Sequence, residues 1–187
     1  YPCREPVTIF VGDYIDRGYE SRQTIDRLID SPLPGFETVH LLGNHERAML
    51  DFLEDISVGP SWLRYGGLET LHSYGVEWNR NDYDDDEGLR RIQAALAAKL
   101  PDRHRRFLSG LPLTHVEGDY LFVHAGVDLS KPITEQTDMD LFWSRERFLR
   151  SRRFYSHRVV HGHTPADAAY ADPRRIGVDT GAYVTGV

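Results

Sequence analysis

Short runs of apolar and β-branched residues alternate along this chain with segments of helical periodicity. The strand-like runs cover residues 7–11, 38–42, 113–116, 120–123, 159–161 and 176–179. Apolar residues three and four positions apart predict helices over residues 21–30, 45–55 and 89–100. No internal repeat or linker interrupts this alternation, so the pattern predicts a single α/β domain over residues 1–187.

Polar residues follow four of the predicted strands directly. These polar clusters lie at residues 12–13, 43–46, 124–126 and 162–164. Open α/β sheets place ligand sites at the carboxyl ends of their strands, where the following loops supply the side chains. We therefore expect the four clusters to contribute to one functional site.

Composition and charge narrow the class of protein. The net charge of −7, from 29 acidic and 22 basic residues, argues against a general nucleic-acid clamp. The arginine-rich stretch 145–158 with its interleaved aromatic residues keeps nucleic-acid binding as an alternative. The single cysteine, Cys3, excludes an internal disulfide and a zinc site built on cysteine pairs. No apolar run reaches the ~18 residues of a membrane span and no signal peptide is visible, so we expect a cytoplasmic protein.

The polar clusters offer ligands for hard divalent metals. Asp13 supplies a carboxylate, Asn44 an amide oxygen, and His124 and His163 supply imidazoles. A nitrogen and oxygen set without sulfur suits manganese, iron, zinc or magnesium. Two such metals about 3.5–4 Å apart can activate one water molecule for attack on phosphorus.

Three further residues fit phosphate chemistry. Arg17 comes four residues after Asp13, and a guanidinium group matches phosphate oxygens bidentately. His45 directly follows Asn44 and could protonate a leaving alkoxide. Asp16 could orient His45 and keep it cationic.

The four clusters resemble, in order, the motifs of the calcineurin-like metallophosphatases. Residues 12–18 are similar to the GDxxDRG motif of that family, and residues 43–46 to its GNHE motif. The clusters that contain His124 and His163 resemble its two later histidine motifs. Beyond these motifs, two segments look like those of bacterial Ser/Thr protein phosphatases, with symmetrical dinucleoside tetraphosphatases nearby; they are residues 62–70 and 178–183.

The resemblance implies a fold and a metal-ligand set. The fold would be a β-sandwich flanked by helices, in an α/β/β/α arrangement. Asp13 would bridge two divalent metal ions, and Asn44, His124 and His163 would complete the second of them. Manganese is the expected metal, with iron, zinc, nickel or magnesium as alternatives.

The resemblance also implies catalytic and substrate-binding roles. His45 would be the general acid, paired with Asp16, and Arg17 would bind the phosphate. Arg145 matches a second phosphate-binding arginine less sharply. Glu46 is interpreted as stabilising the start of a helix, since a carboxylate there interacts favourably with the helix dipole. His161, two residues before His163, is a weaker ligand candidate.

The chain departs from the family pattern at both ends. The family opens with an Asp-x-His motif that belongs to the first metal, and none of the twelve residues before Asp13 is aspartate or histidine. The family's final strand is not visible either. We expect either a fragment of a two-metal enzyme, lacking its first and last strands, or a natural truncation that keeps one metal half-site.

These residues together predict a metal-dependent phosphoester hydrolase. The expected substrate is a phosphoserine or phosphothreonine protein. Cleavage of dinucleoside polyphosphates by a symmetrical bis(5'-nucleosyl)-tetraphosphatase is the alternative within the same chemistry. A module that binds phosphate or metal without catalysis is the alternative from another class.

Overall fold

The computed structural model describes residues 6–30, 33–79, 82 and 85–186 of the chain. Cys3 lies outside these residues. The chain divides into two units, each formed by non-contiguous segments. Unit 1 comprises residues 1–12, 35–44 and 112–187, and unit 2 comprises residues 13–34 and 45–111. The organisation of residues 1–187 as a single domain stays a prediction.

Unit 1 contains two sheets. Their strands are β1 (Val7–Phe10), β2 (Glu37–His40), β3 (Thr114–Glu117), β4 (Tyr120–Val123), β5 (Arg158–His161), β6 (Tyr170–Ala171) and β7 (Arg175–Gly177). A parallel pair joins β1 to β2, with Val7 opposite Glu37. The second sheet has the order β3-β4-β5-β7-β6, in which β3 and β4 form an antiparallel hairpin and β4, β5 and β7 run parallel.

Alternating residues of the second sheet form the core of unit 1. Leu121, Val123 and Val159 are buried on one face of the sheet, where they cluster with Leu141 and Phe148. This is the period of two that a strand with one buried face requires. The core therefore holds the carboxyl ends of β4 and β5 in place, directly before two of the predicted ligand clusters.

Unit 2 is helical in its described residues. Its apolar core gathers side chains from all of the longer helices, among them Ile25, Met49, Phe52, Ile92 and Leu108. The helices of the chain are α1 (Ser21–Asp30), α2 (Asn44–Glu54), α3 (Gly59–Trp62), α4 (Leu68–Ser73), α5 (Asp86–Lys99), α6 (Asp102–Ser109), α7 (Asp138–Trp143), α8 (Glu146–Leu149) and α9 (Ala182–Thr185), of which α7 to α9 belong to unit 1.

Helix α5 illustrates how the sequence sets these elements. Its N-cap residue Asp85 accepts a hydrogen bond from the Gly88 backbone N–H at 2.7 Å. Leu89, Ile92 and Leu96 recur at helical spacing and are buried. The cap satisfies a free N–H of the first turn and the apolar stripe packs into the core, so both signals agree.

The predicted α/β class is confirmed, and each predicted strand and helix is present with bounds that differ by a few residues. The short helices between residues 59 and 73, helices α6 to α9 and strand β6 were not predicted, because short elements carry too few periodic positions to be recognised. In the part of the chain that the structure describes, no helix has the length and apolar character needed to cross a bilayer.

Candidate metal centre

His124 follows strand β4 and is buried in unit 1. Its Nδ1 atom lies 2.7 Å from the Val11 carbonyl oxygen. A carbonyl oxygen only accepts, so Nδ1 carries the proton and donates it, which leaves a lone pair on Nε2. Metal-ligating histidines are typically oriented in this way, through a hydrogen bond from the other ring nitrogen.

Two further potential ligand atoms of unit 1, Asn44 Oδ1 and His163 Nδ1, lie beside His124 Nε2. Asn44 Oδ1 lies 2.8 Å from His124 Nε2 and 2.9 Å from His163 Nδ1, and the two ring nitrogens lie 3.2 Å apart. Two atoms bound at about 2.1 Å to one metal ion, at right angles to each other, are separated by about 3.0 Å. The spacing and chemistry of Asn44, His124 and His163 therefore fit one face of the coordination shell of a divalent metal.

Glycine is required where the backbone passes this donor set. Gly12 has a left-handed φ of 99°, and a Cβ atom on it would lie 2.6 Å from the Gly43 Cα and 2.9 Å from His124 Nδ1. Neither approach is sterically possible, so no larger residue fits there without displacing His124. Steric exclusion of any side chain thus explains why glycine stands at the start of the first motif.

His163 carries two further neighbours in unit 1. The Arg145 Nε–H group donates to His163 Nε2 at 3.3 Å, and the Trp143 ring packs edge-on against the imidazole with centroids 5.6 Å apart. The guanidinium of Arg145 is exposed to solvent. The structure thus brings the predicted second phosphate-binding arginine next to a predicted metal ligand.

The loop that carries Asp13 is held in unit 2 by Glu46. The buried Glu46 carboxylate accepts hydrogen bonds from three successive backbone N–H groups, those of Asp13 at 2.9 Å, Tyr14 at 2.6 Å and Ile15 at 3.1 Å. Burial and the negative charge of Asp13 raise the pKa of Glu46 to about 7. Glu46 therefore does more than stabilise the start of α2: it fixes the conformation of the first motif.

His45 and Asp16 form a hydrogen-bonded pair in unit 2. The His45 Nδ1–H group donates to Asp16 Oδ2 at 2.6 Å, and both side chains are buried. Burial alone would lower the pKa of His45, but the hydrogen bond to Asp16 and the negative charges of Asp13, Asp16 and Glu46 raise it. His45 is therefore biased towards its protonated form, the form a general acid needs.

Arg17 lies beside this pair. Its Nη2 atom is 3.5 Å from His45 Nε2, and its side chain is exposed. Asp13 is also close to His45, whose backbone N–H lies 3.4 Å from Asp13 Oδ1. Unit 2 thus gathers the predicted general acid, its partner, the phosphate-binding arginine and the predicted bridging carboxylate.

His161 has a structural role. Its Nδ1 atom lies 3.1 Å from the Gly162 carbonyl oxygen and its Nε2 atom 3.1 Å from the Tyr170 hydroxyl. The ring is buried and packs edge-on against Phe148. Both ring nitrogens are engaged within the core of unit 1, so the weaker ligand candidate from the sequence is not part of the donor set.

An amide oxygen and two imidazole nitrogens that converge on an α/β fold indicate the class of proteins that bind a divalent metal ion. The profile of the calcineurin-like phosphoesterases matches residues 2–185. The chain belongs to this family, whose members hydrolyse phosphoesters with divalent metal cofactors.

Several solved structures share the fold of this chain. A candidate diadenosine tetraphosphatase superposes with a TM-score of 0.57 at 17% identity, over 94% of this chain and 70% of that protein. Two structures of a cold-active protein tyrosine phosphatase, one of them from a psychrophilic Shewanella species, each give 0.55 at 16% identity over 96% of this chain. The chain spans 60% and 62% of the length of those two. At these identities the likeness extends to the fold alone. No curated protein matches the chain in sequence.

Proposed function

We propose that the chain forms the catalytic core of a metal-dependent phosphatase that acts on phosphoserine and phosphothreonine proteins. The observation that carries the proposal is the convergence of Asn44 Oδ1, His124 Nε2 and His163 Nδ1 within 3.2 Å of one another. These three residues would hold a divalent metal ion, for which we propose manganese. The family resemblance assigns Asp13 as the carboxylate that would bridge to a second metal.

The metal ions supply the Lewis-acid chemistry that turns water into a nucleophile and polarises the phosphoryl group. The residues of the chain contribute binding and proton transfer. Arg17 and Arg145 would bind the non-bridging phosphoryl oxygens, whose negative charge a guanidinium group matches in geometry. Both side chains are exposed, as a group that meets an incoming substrate must be.

His45 would donate the proton that the leaving alkoxide requires. Because the Nδ1–H group donates its hydrogen bond to Asp16, the second ring nitrogen, Nε2, is the atom that can donate a proton to the substrate. Asp16 would keep the imidazole in one orientation and stabilise its cationic form, as carboxylates do for catalytic histidines. Alkyl leaving groups such as serine and threonine depend most on this proton, because their alkoxides are strongly basic.

The choice of substrate rests on the resemblance of residues 62–70 and 178–183 to the bacterial Ser/Thr protein phosphatases. Symmetrical bis(5'-nucleosyl)-tetraphosphatase activity is the second candidate, since one protein of related fold bears the diadenosine tetraphosphatase name. The two reactions share the metal and proton-transfer chemistry and differ in what occupies the remainder of the site.

The test is a substrate comparison with the purified chain in manganese and, separately, in EDTA. Release of inorganic phosphate from phosphoserine and phosphothreonine peptides is expected, with less from a phosphotyrosine peptide. ADP formed from diadenosine tetraphosphate, without phosphate release from peptides, would establish the second candidate instead. Metal binding without turnover of either substrate would leave a non-catalytic binding module. The His124→Ala variant should lose manganese-dependent turnover, whereas His157→Ala in the same unit should retain it.

A further inference from the structure

The segment of residues 62–70 forms the support of the Asp16 side chain within unit 2. The Trp62 indole N–H donates to Asp16 Oδ2 at 3.0 Å, and the Thr70 hydroxyl donates to Asp16 Oδ1 at 2.6 Å. Trp62 is 2% exposed and Thr70 is fully buried. These contacts join residues that are 46 and 54 positions apart in sequence.

Thr70 forms hydrogen bonds with both the backbone and the side chain of Asp16. Besides donating to the carboxylate, its hydroxyl oxygen accepts the Asp16 backbone N–H at 2.9 Å, and it lies 3.0 Å from the Ser21 hydroxyl. The Asp16 backbone has a left-handed φ of 73°, which is less favourable for aspartate than for glycine. One hydroxyl group therefore stabilises both the backbone conformation and the side-chain orientation of Asp16.

The donors around Asp16 leave its carboxylate a single productive orientation. Oδ2 accepts from both Trp62 and His45, while Oδ1 accepts from Thr70. Any rotation of the carboxylate would break at least one of these buried hydrogen bonds and leave a buried polar group unsatisfied, which is unfavourable. The direction in which His45 presents Nε2 thus depends on Trp62 and Thr70.

The same segment positions Arg17. The Arg17 backbone N–H donates to the Gly66 carbonyl oxygen at 3.1 Å. Gly66 has a left-handed φ of 120°, and a Cβ atom on it would lie 2.7 Å from the Arg17 backbone nitrogen. This non-helical conformation of Gly66 puts a kink in the segment Leu63–Gly67, at the point where the segment meets the Arg17 backbone.

We propose that Trp62 and Thr70 are positioning residues for proton donation by His45, acting through the Asp16 carboxylate. Gly66 positions the backbone of Arg17 through the hydrogen bond between them. The inference rests on the proposed function, because it assigns these residues to the proton-transfer step of that reaction. It gives residues 62–70 a mechanistic reason for their resemblance to the phosphatase subgroup.

Two variants remove the donors with little change of shape. Trp62→Phe keeps an aromatic ring but lacks the indole N–H, and Thr70→Val is isosteric but lacks the hydroxyl. Thr70→Ser restores the hydroxyl and is the rescue variant. Trp78→Phe and Thr24→Val are matched controls within unit 2. If one donor variant fails to fold, the other still tests the proposal.

The first measurement is the leaving-group dependence of turnover. General acids contribute typically 10²–10⁴-fold, so each donor variant should lose about tenfold or more of kcat with an alkyl phosphate. It should lose less than about threefold with p-nitrophenyl phosphate, whose leaving group needs no proton. KM should change little. Equal losses with both substrates, or none with either, would overturn the proposal.

The second measurement is independent of activity. In metal-free, ¹⁵N-histidine-labelled protein, the His45 Nδ1–H proton should give a strongly downfield NMR resonance, assigned by its loss in His45→Asn. This resonance should move upfield or broaden in Trp62→Phe and Thr70→Val and persist in Thr70→Ser and both controls. An unchanged resonance in the donor variants would refute the positioning role. Absence of turnover in the wild-type chain, with the expected NMR changes, would refute the proposed function alone.

Discussion

The donor set of unit 1 makes a quantitative prediction about stability. Asn44, His124 and His163 place one amide oxygen and two imidazole nitrogens within 3.2 Å of one another in the folded chain, so manganese should bind the folded chain more tightly than the unfolded one. Binding to the folded state stabilises it by RT ln(1 + [metal]/Kd), or about 2.7 kcal/mol at a metal concentration of 100 Kd. For a chain of 150–250 residues, 1 kcal/mol shifts Tm by about 2–4 °C. The expected shift is therefore about 5–10 °C.

His163→Ala removes one of the three ligands. Removing a residue that hydrogen-bonds to a metal ligand typically lowers the affinity for the metal 10–100-fold. Removing a ligand itself should therefore lower the manganese affinity about 100-fold or more. The same manganese concentration then stands near Kd, and the stabilisation falls to about 0.4 kcal/mol, a Tm shift of only about 1–2 °C. The assay is thermal unfolding by circular dichroism in EDTA and in increasing manganese.

His157→Ala is the matched control, because it removes one histidine from the same unit without touching the donor set. It also controls for metal binding to histidines of the unfolded chain, which would reduce the apparent stabilisation. The control should show the full wild-type shift. If manganese stabilises wild type and His163→Ala equally, the interpretation of the three convergent atoms as a metal site is wrong.

Four further outcomes follow from individual contacts. His45→Asn should slow hydrolysis of alkyl phosphates far more than of phenyl phosphates; unchanged relative rates would contradict its acid role. The raised pKa of His45 stabilises the fold below pH 6.5, and this contribution is lost as pH rises through the raised value. Urea unfolding of the metal-free chain should thus show a smaller decline in stability with rising pH in His45→Asn than in wild type. Glu46→Ala should lower the free energy of unfolding by about 3 kcal/mol, because it removes the acceptor of three buried or partly buried N–H groups, whereas Glu54→Ala at the exposed end of α2 should change it by less than about 0.5 kcal/mol. Tyr74→Phe should cost about 1 kcal/mol through loss of its 2.9 Å hydrogen bond with the buried His104, as measured by urea unfolding; no loss would mean that this hydrogen bond contributes nothing.

The sequence allowed the donor set to be predicted because its members belong to compact motifs next to recognisable strands. His124 comes directly after strand β4, and His163 comes two residues after strand β5, so the parallel pairing of these strands brings their ends together. The amide oxygen of Asn44 joins them at the start of α2. Parallel sheets gather the carboxyl ends of their strands, so periodicity and motif position were sufficient to predict that His124 and His163 lie close together, while their role as metal ligands stays a prediction.

The supporting residues could not be predicted in the same way. Glu46 was interpreted as a helix-start residue, yet its carboxylate binds backbone groups more than 30 positions earlier in the chain. Trp62 and Thr70 attach to Asp16 across even longer separations. Contacts of this kind depend on how helices pack, which local periodicity does not encode. The one signal in the sequence was the resemblance of residues 62–70 to a phosphatase subgroup. That resemblance did not indicate which residue Trp62 or Thr70 contacts.

Backbone strain explains why many hydrogen bonds from distant residues converge on the short loop of residues 13–17. Among the described residues, four that are not glycine have a positive φ, namely Asp13, Asp16, Arg17 and His163, and each was predicted from the sequence as a site residue. Such conformations cost of order 1–3 kcal/mol each and persist only where surrounding contacts over-determine them. Three of the four lie in the loop of residues 13–17, whose five consecutive backbone N–H groups are all hydrogen-bonded. The Glu46 carboxylate accepts from the first three, the Thr70 hydroxyl from Asp16 and the Gly66 carbonyl from Arg17. Those hydrogen bonds offset the strain and thereby fix where the side chains point. Replacing the loop residues by glycine would relieve the strain but remove the chemistry, so the support from distant residues is what allows functional side chains to occupy these positions.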